Sequence, residues 1–280
     1  MTALQRSLLT WYARNGRKHL PWRETRDPYA ILVSEFMLQQ TQVDRVLPKY
    51  QAFLMRFPNF ESLAAASTAD VIREWRGLGY NTRAVRLKRI AHTVTSQLGG
   101  ELPRDAGALR VLHGVGPYIA SAVRAYAFDC DDAAIDTNVR RVTQRVQPGV
   151  AIQTMVPSGR GHDWNSALMD LGASICTART PKCAICPLRR FCVSAAPGAV
   201  PQQPIRKKAS LPFKESARYA RGRIIDRLRE LPAGRRISLR ALQRDLAGLR
   251  RSAKELQTLV VALEREGLIS VQNRQVALRD

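Results

Sequence analysis

No stretch of the chain approaches the ~18–20 uninterrupted apolar residues of a membrane span. The opening MTALQRSLLTWYARNGRKHL has no apolar core ahead of a small-residue cleavage site, which argues against a secretory signal. Glycine (17) and proline (15) stand at ordinary levels, so neither a collagen-like nor a linker-like chain is expected. What is scarce is negative charge. Against 45 Lys+Arg the 280 residues carry only 23 Asp+Glu, a formal charge of +22. At 45% hydrophobic and 24% charged, the chain is nonetheless composed to bury a core. Arginine supplies most of the excess, and its planar fork suits phosphate better than an ammonium does. The composition therefore points to a soluble, intracellular protein with a polyanionic partner, nucleic acid foremost, against the plainer alternative of solvated basic faces.

Of five cysteines, Cys130 stands alone and is expected as a small buried residue. The other four, Cys176, Cys183, Cys186 and Cys192, follow the spacing C-x6-C-x2-C-x5-C. In a reducing compartment such a group reads as metal ligands rather than disulfides. Zinc sites usually pair two short knuckles across a longer gap, and only one knuckle is present here. A compact loop also suits an iron–sulfur cubane, each iron taking one thiolate. The spacing leaves both open. His19, His92 and His162 show no ligand spacing.

Helical patterns, punctuated by Gly and Pro, fill residues 1–195, and no alternating run is long enough for a sheet. A first helix over 4–15 is broken by Leu20-Pro21-Trp22-Arg23, and Pro28 opens an apolar helix with Asp27 as its cap. Further helices are expected over 43–57, 60–66, 68–76, 83–98, 106–112, 118–128, 137–146 and 164–175. Two glycine turns, Gly77-Leu78-Gly79 and Gly114-Val115-Gly116, each join two helices. In the second, glycines flanking an apolar residue just before a helix allow backbone N–H groups to face an anion. Residues 196–216 lose periodicity and read as a linker. Residues 217–280 show three helices and a terminal hairpin, a winged-helix-like α+β segment that fits either DNA contact or protein docking.

Two carboxylates stand out. Glu35 lies among Ile31, Leu32, Val33, Phe36 and Leu38, where desolvation raises its pKa and keeps it available as an acid. Asp136 sits where it caps the helix from Thr137, which also holds a carboxylate toward a cleft. Such a pair is what glycosidic cleavage requires, one group protonating the leaving group and the other stabilising the oxocarbenium-like sugar. On a basic protein with a phosphate-binding hairpin, the bond would be an N-glycosidic bond of nucleic acid, with its base first turned out of the stack.

Leu20–Arg23, Ser34–Val43, Gly77–Tyr80, Leu112–Gly116, Ile135–Val142 and Met169–Ala173 leading into Cys176 together resemble the helix–hairpin–helix base-excision glycosylases. The endonuclease III and MutY-type branches match best. The resemblance covers residues 18 to 195 and implies an all-α, two-lobed glycosylase with a [4Fe–4S] cluster on Cys176, Cys183, Cys186 and Cys192. Tyr118 stands where lyase members carry their Schiff-base lysine, so the implied enzyme is monofunctional. The context of Glu35 resembles the adenine glycosylases, which excise adenine opposite 8-oxoguanine or guanine. By that resemblance Glu35 protonates the adenine and positions water, Asp136 stabilises the oxocarbenium ion, and Tyr118 and Asn138 orient the groups around it. Trp22 and Arg23 line the base pocket, Gln39 and Gln40 wedge into the duplex, and Gly114 and Gly116 take a phosphate. The cluster ties down a loop that presents Arg179 and Lys182 to DNA.

Three positions depart from the family pattern. His113 replaces a common Pro, Asn81 replaces an intercalating Tyr, and the C-terminal Nudix-like domain is not visible, a shorter winged segment standing in its place. Tyr118 and Asn81 also resemble the mismatch thymine/uracil glycosylases of the same superfamily. A non-catalytic DNA-binding scaffold is the alternative from another class, opposed by the presence of both carboxylates. The expected form is a monomer acting on duplex DNA with a mispaired or damaged base, in the cytoplasm at the nucleoid, without membrane attachment.

Overall fold

The computed structural model describes residues 1–196, 212–249 and 251–280. Residues 197–211 of the expected linker lie outside the described residues. Helices α1 (Ala3–Asn15), α2 (Pro21–Glu24), α3 (Pro28–Leu38), α4 (Val43–Arg56) and α5 (Phe60–Ala65) open the chain. They continue as α6 (Thr68–Glu74), α7 (Thr82–Gln97), α8 (Ala106–Val111), α9 (Pro117–Ala127), α10 (Thr137–Val146) and α11 (Gly161–Ser174). The described C-terminal residues form α12 (Ala217–Arg229), β1 (Ile237–Ser238), α13 (Leu239–Asp245), α14 (Ala253–Arg265), β2 (Ile269–Gln272) and β3 (Gln275–Leu278).

Local chemistry explains most boundaries. Thr2 and Gln5 form a reciprocal capping box at the start of α1. The Asp27 carboxylate accepts from Tyr29 N at 3.0 Å and so caps α3. Leu20–Arg23 differs from the break expected there: Pro21 sits at the first position of α2, where its fixed φ and missing N–H favour a helical turn. The interruption falls instead on the residues between Asn15 and Pro21.

The chain divides into two compact units, and the boundary falls within α3, between Glu35 and Phe36. The first unit comprises Met1–Glu35 and the described residues from Leu102 to 196. Its core gathers Leu8 of α1, Val139 and Val142 of α10, Trp164 and Leu171 of α11, and Leu188 beyond them.

The second unit comprises Phe36–Glu101 and the described C-terminal residues. One hydrophobic cluster there joins Ala69, Ile72 and Val85 of α6 and α7 to Ile224, Leu228, Leu242, Val260, Ile269 and Val276 of the C-terminal segment. The expected three helices and hairpin are present. The hairpin turns at Asn273 and Arg274, both with positive φ. β1 was not anticipated: its Ile237 pairs antiparallel with Val276, giving a sheet of order β1-β3-β2. Two residues are too few for a period-2 pattern to show in sequence.

Candidate active site

In the first unit Glu35 lies within hydrogen-bonding or electrostatic reach of Tyr118, Arg23 and Asp136. α3 supplies Glu35 because its flanking residues are nearly all apolar; the residue is 4% exposed, on a helix where Ile31, Leu32 and Val33 are also buried. Tyr118, at the second position of α9, hydrogen-bonds the carboxyl, while Glu35 Oε2 has no partner. Burial pushes the Glu35 pKa up to about 7; the Tyr118 hydrogen bond and the Arg23 charge pull the other way, and Asp136 adds to the rise. Burial also drives the Tyr118 hydroxyl well above its ordinary range, so it stays a donor.

Arg23 on α2 is held by several groups. Its Nη1 donates to Tyr12 Oη at 3.1 Å, and Nη2 lies 3.6 Å from Asp170 Oδ1. Its guanidinium stands 5.9 Å from the Tyr126 ring centroid. Asp170 is itself clamped by Arg17, through backbone N at 2.9 Å and side-chain Nε and Nη2 at 2.9 and 2.7 Å. Asp170 and Tyr126 were not singled out from sequence. The Met169–Ala173 motif contained the aspartate, but nothing local told it from an ordinary helix carboxylate. Trp22, the neighbour of Arg23, is buried in the core.

Asp136 caps α10, its Oδ1 accepting from Val139 N at 2.7 Å. Its Oδ2 accepts from Asn138 Nδ2 at 3.0 Å, so the cap leaves the carboxylate fixed in direction as well as position. Asn138 Oδ1 in turn accepts from Arg141 Nη2 at 2.8 Å. The same nitrogen donates to Gly172 O at 2.7 Å, and Arg141 Nε to Cys176 O at 2.8 Å. A hydrogen-bonded chain thus runs from the first cysteine to Asp136. At Gly172 a Cβ would stand 2.7 Å from Asn138 Cβ, so only glycine lets α11 approach α10 this closely.

Cys176 follows α11 directly and its N donates to Leu171 O at 2.7 Å. Lys182 N returns to Ile175 O at 2.9 Å, closing the loop that exposes Arg179 and Lys182. The cysteines are separated by short 3-10 turns at Cys183–Ile185 and Arg189–Phe191. Residues 176–192 contain no Asp, Glu or His, so the donor set is purely thiol and soft. Burial raises the Cys186 and Cys192 thiols, each with the neighbouring thiols adding to the rise, which shows that the four sulfurs share one locality. Arg145 provides opposite charge: its Nη1 lies 3.4 Å from Cys176 Sγ and donates to Thr177 O at 2.7 Å. Among the described residues no three His, Cys, Asp or Glu side chains are placed to hold a single metal ion. A four-iron cluster asks instead for one thiolate per iron, around a larger body. The residues fit it. Cys130 lies apart and is half-buried rather than buried, because it sits on the loop after α9, its thiol 3.8 Å from Phe128 O.

Gly114 adopts φ 90° and Gly116 is the N-cap of α9, just ahead of Pro117. Among the described residues neither glycine N–H donates a hydrogen bond, leaving both open at a helix start. In the second unit, Gln39 and Gln40 follow α3. Gln40 is exposed with φ 56°, a left-handed turn in a non-glycine residue.

Comparison with known proteins gives a consistent picture. Residues 33–154 match the model described as "HhH-GPD superfamily base excision DNA repair protein". Residues 176–192 match the "Iron-sulfur binding domain of endonuclease III". The adenine DNA glycosylase of Mycolicibacterium smegmatis is 38% identical over 80% of this chain and 79% of its own length. That of Mycobacterium tuberculosis is 41% identical over 82% of this chain and 80% of its own. Among solved structures, a thermostable thymine-DNA glycosylase is 33% identical with a TM-score of 0.64, covering 68% of this chain and 94% of that one.

Proposed function

The chain belongs to the adenine DNA glycosylase family of the HhH-GPD superfamily, and on that premise we propose that Glu35 and Asp136 cleave the N-glycosidic bond of a mispaired adenine. The protein is a DNA N-glycosylase of base excision repair. Its four clustered cysteines are the ligands of a [4Fe–4S] cluster, which, when bound, braces the loop that carries Arg179 and Lys182.

The observation that carries the mechanism is the buried, half-unpartnered Glu35. At neutral pH a substantial fraction of this carboxyl holds its proton, ready to give it to the leaving base. Tyr118 fixes the carboxyl by hydrogen bonding, and Arg23 limits the rise in its pKa. Asp136, aimed by its cap and by Asn138, supplies negative charge to the sugar as the bond breaks. Tyr118 has no amine, so no Schiff base forms and the phosphodiester survives. Trp22 backs the base pocket behind Arg23. Gln39 and Gln40 act as the duplex wedge. Gly114 and Gly116 take a phosphate through backbone N–H groups, and Arg179 and Lys182 take others. The partner is duplex DNA with one mispaired base, bound by a monomer where the genome lies.

The thymine-DNA glycosylase likeness favours a second reading, mismatch thymine or uracil removal, on a similarly matched helical scaffold. Single-turnover assays on duplexes with A opposite 8-oxoguanine, A opposite G, and G opposite T or U decide between them. Base release from the A-containing duplexes, with strand breaks only after alkali, is expected. Release from the G·T and G·U duplexes alone would establish the second reading.

A further inference from the structure

The Gly77–Tyr80 turn of the second unit is held by arginines from two directions. Arg83, buried at the start of α7, donates Nη1 to Phe36 O, Met37 O and Gln39 O at 2.7, 2.8 and 2.6 Å. Its Nη2 donates to Thr41 Oγ1, Leu78 O and Gly79 O, each at 3.0 Å. One guanidinium therefore ties the Gln39–Thr41 segment to the glycine turn. The C-terminal segment reaches the same turn. Arg229 of α12 donates to Ile72 O at 3.0 Å and to Asn81 Oδ1 at 2.8 Å, its charge balanced by Asp226 at 2.8 Å.

Arg218, near the start of α12, differs from both. Its guanidinium lies 4.0 Å from the Tyr80 ring centroid and 5.5 Å from that of Phe213. The residue is exposed, and among the described residues it makes no hydrogen bond or ion pair. An exposed arginine ordinarily spends its rotamer freedom in water. Here an aromatic face fixes the plane of the fork while its N–H donors stay open. Tyr80 is itself fixed by a left-handed backbone, φ 44°. The result is a preorganised cation on the edge that carries Gln39 and Gln40.

We propose that Arg218 is a DNA-contacting residue delivered by the C-terminal segment, its Tyr80-seated guanidinium taking an oxygen acceptor of the duplex beside the Gln39–Gln40 wedge. The inference rests on the wedge reading above and extends it: the winged segment is part of the DNA-gripping surface. The acceptor is either a phosphate oxygen or the oxygen edge of a guanine-type base, and the two separate by experiment.

The test uses the full chain with its cluster and compares Arg218→Ala, Tyr80→Leu and, as a control for charge alone, Arg240→Ala from the exposed surface of α13. Dissociation constants are measured over a salt series for two duplexes. One is undamaged; the other carries 8-oxoguanine opposite a non-cleavable adenine analogue. A phosphate contact predicts that Arg218→Ala weakens both alike and lowers the logarithmic salt slope by about one. A base contact predicts an unchanged slope and a loss of preference for the damaged duplex of about tenfold. Either supports the proposal, and Tyr80→Leu is expected to follow Arg218→Ala in direction. Arg218→Ala behaving as Arg240→Ala on both duplexes would overturn it. Because wild-type adenine release is measured on the same preparation, a silent Arg218→Ala in an active enzyme defeats this inference alone. Release of no base from any duplex defeats the functional reading instead.

Discussion

Glu35 sits on a helix whose neighbouring side chains are apolar, and one of its oxygens has no hydrogen-bond partner. Desolvation favours the neutral acid, while the Tyr118 hydrogen bond and the Arg23 charge favour the carboxylate. Because the first effect is larger, the group titrates at about 7 rather than at its ordinary value. For an acid that must be protonated to work, the sign follows directly. The single-turnover rate should be level at acid pH and fall about tenfold per pH unit above the Glu35 pKa. Tyr118→Phe removes a group that lowers that pKa and leaves the ring in place. Its alkaline limb should therefore move to higher pH, by on the order of one unit. A limb that stays put in the variant would mean that the hydroxyl does not hold the carboxyl.

The pairing of α10 with α11 is set by a missing side chain. Gly172→Ala would put a methyl 2.7 Å from Asn138 Cβ and 3.2 Å from Arg141 Nη2. Relief requires α10 to shift or Arg141 to release Gly172 O, and either disturbs the chain of hydrogen bonds from Cys176 O to Asp136. The expected cost is about 1–3 kcal/mol of stability, with a fall in single-turnover rate larger than the fall in DNA affinity. Thermal unfolding and fluorescence binding measured on one preparation separate the two. Such elements were unevenly legible in the sequence. α10 was bounded correctly because Asp136 is a strong cap followed by a clear apolar period. Glu35 was legible for the same reason, as a lone carboxylate among apolar neighbours. Arg83 was not, because its seven acceptors are backbone and hydroxyl groups, four of them more than 40 positions away, and chain spacing does not report them. Asp170 was equally hidden, since its partners Arg17 and Arg23 lie some 150 positions away in the chain.

On the scale of the whole molecule, the scarcity of acidic residues first pointed to a polyanion, and the fold distributes that charge. Arg179 and Lys182 lie exposed on the cysteine loop, and Arg218 on the C-terminal segment. The excess also serves internally, through Arg83, Arg141, Arg145 and Arg229, which hold carbonyls rather than DNA. The C-terminal segment shares one hydrophobic cluster with Ala69, Ile72 and Val85. Its removal would expose that apolar surface to water. A chain ending at residue 211 is therefore expected to unfold at lower temperature and to aggregate, as calorimetry and light scattering would report. Unchanged stability would show the segment to be a mere appendage. The central claim is that Glu35 and Asp136 together break the bond to a mispaired adenine. It is tested most directly by single-turnover adenine release from an A·8-oxoguanine duplex, with Asp136→Asn beside the wild type. The account predicts release by the wild type without strand cleavage, and loss of release in the variant with DNA binding retained. Undiminished release by Asp136→Asn would contradict it.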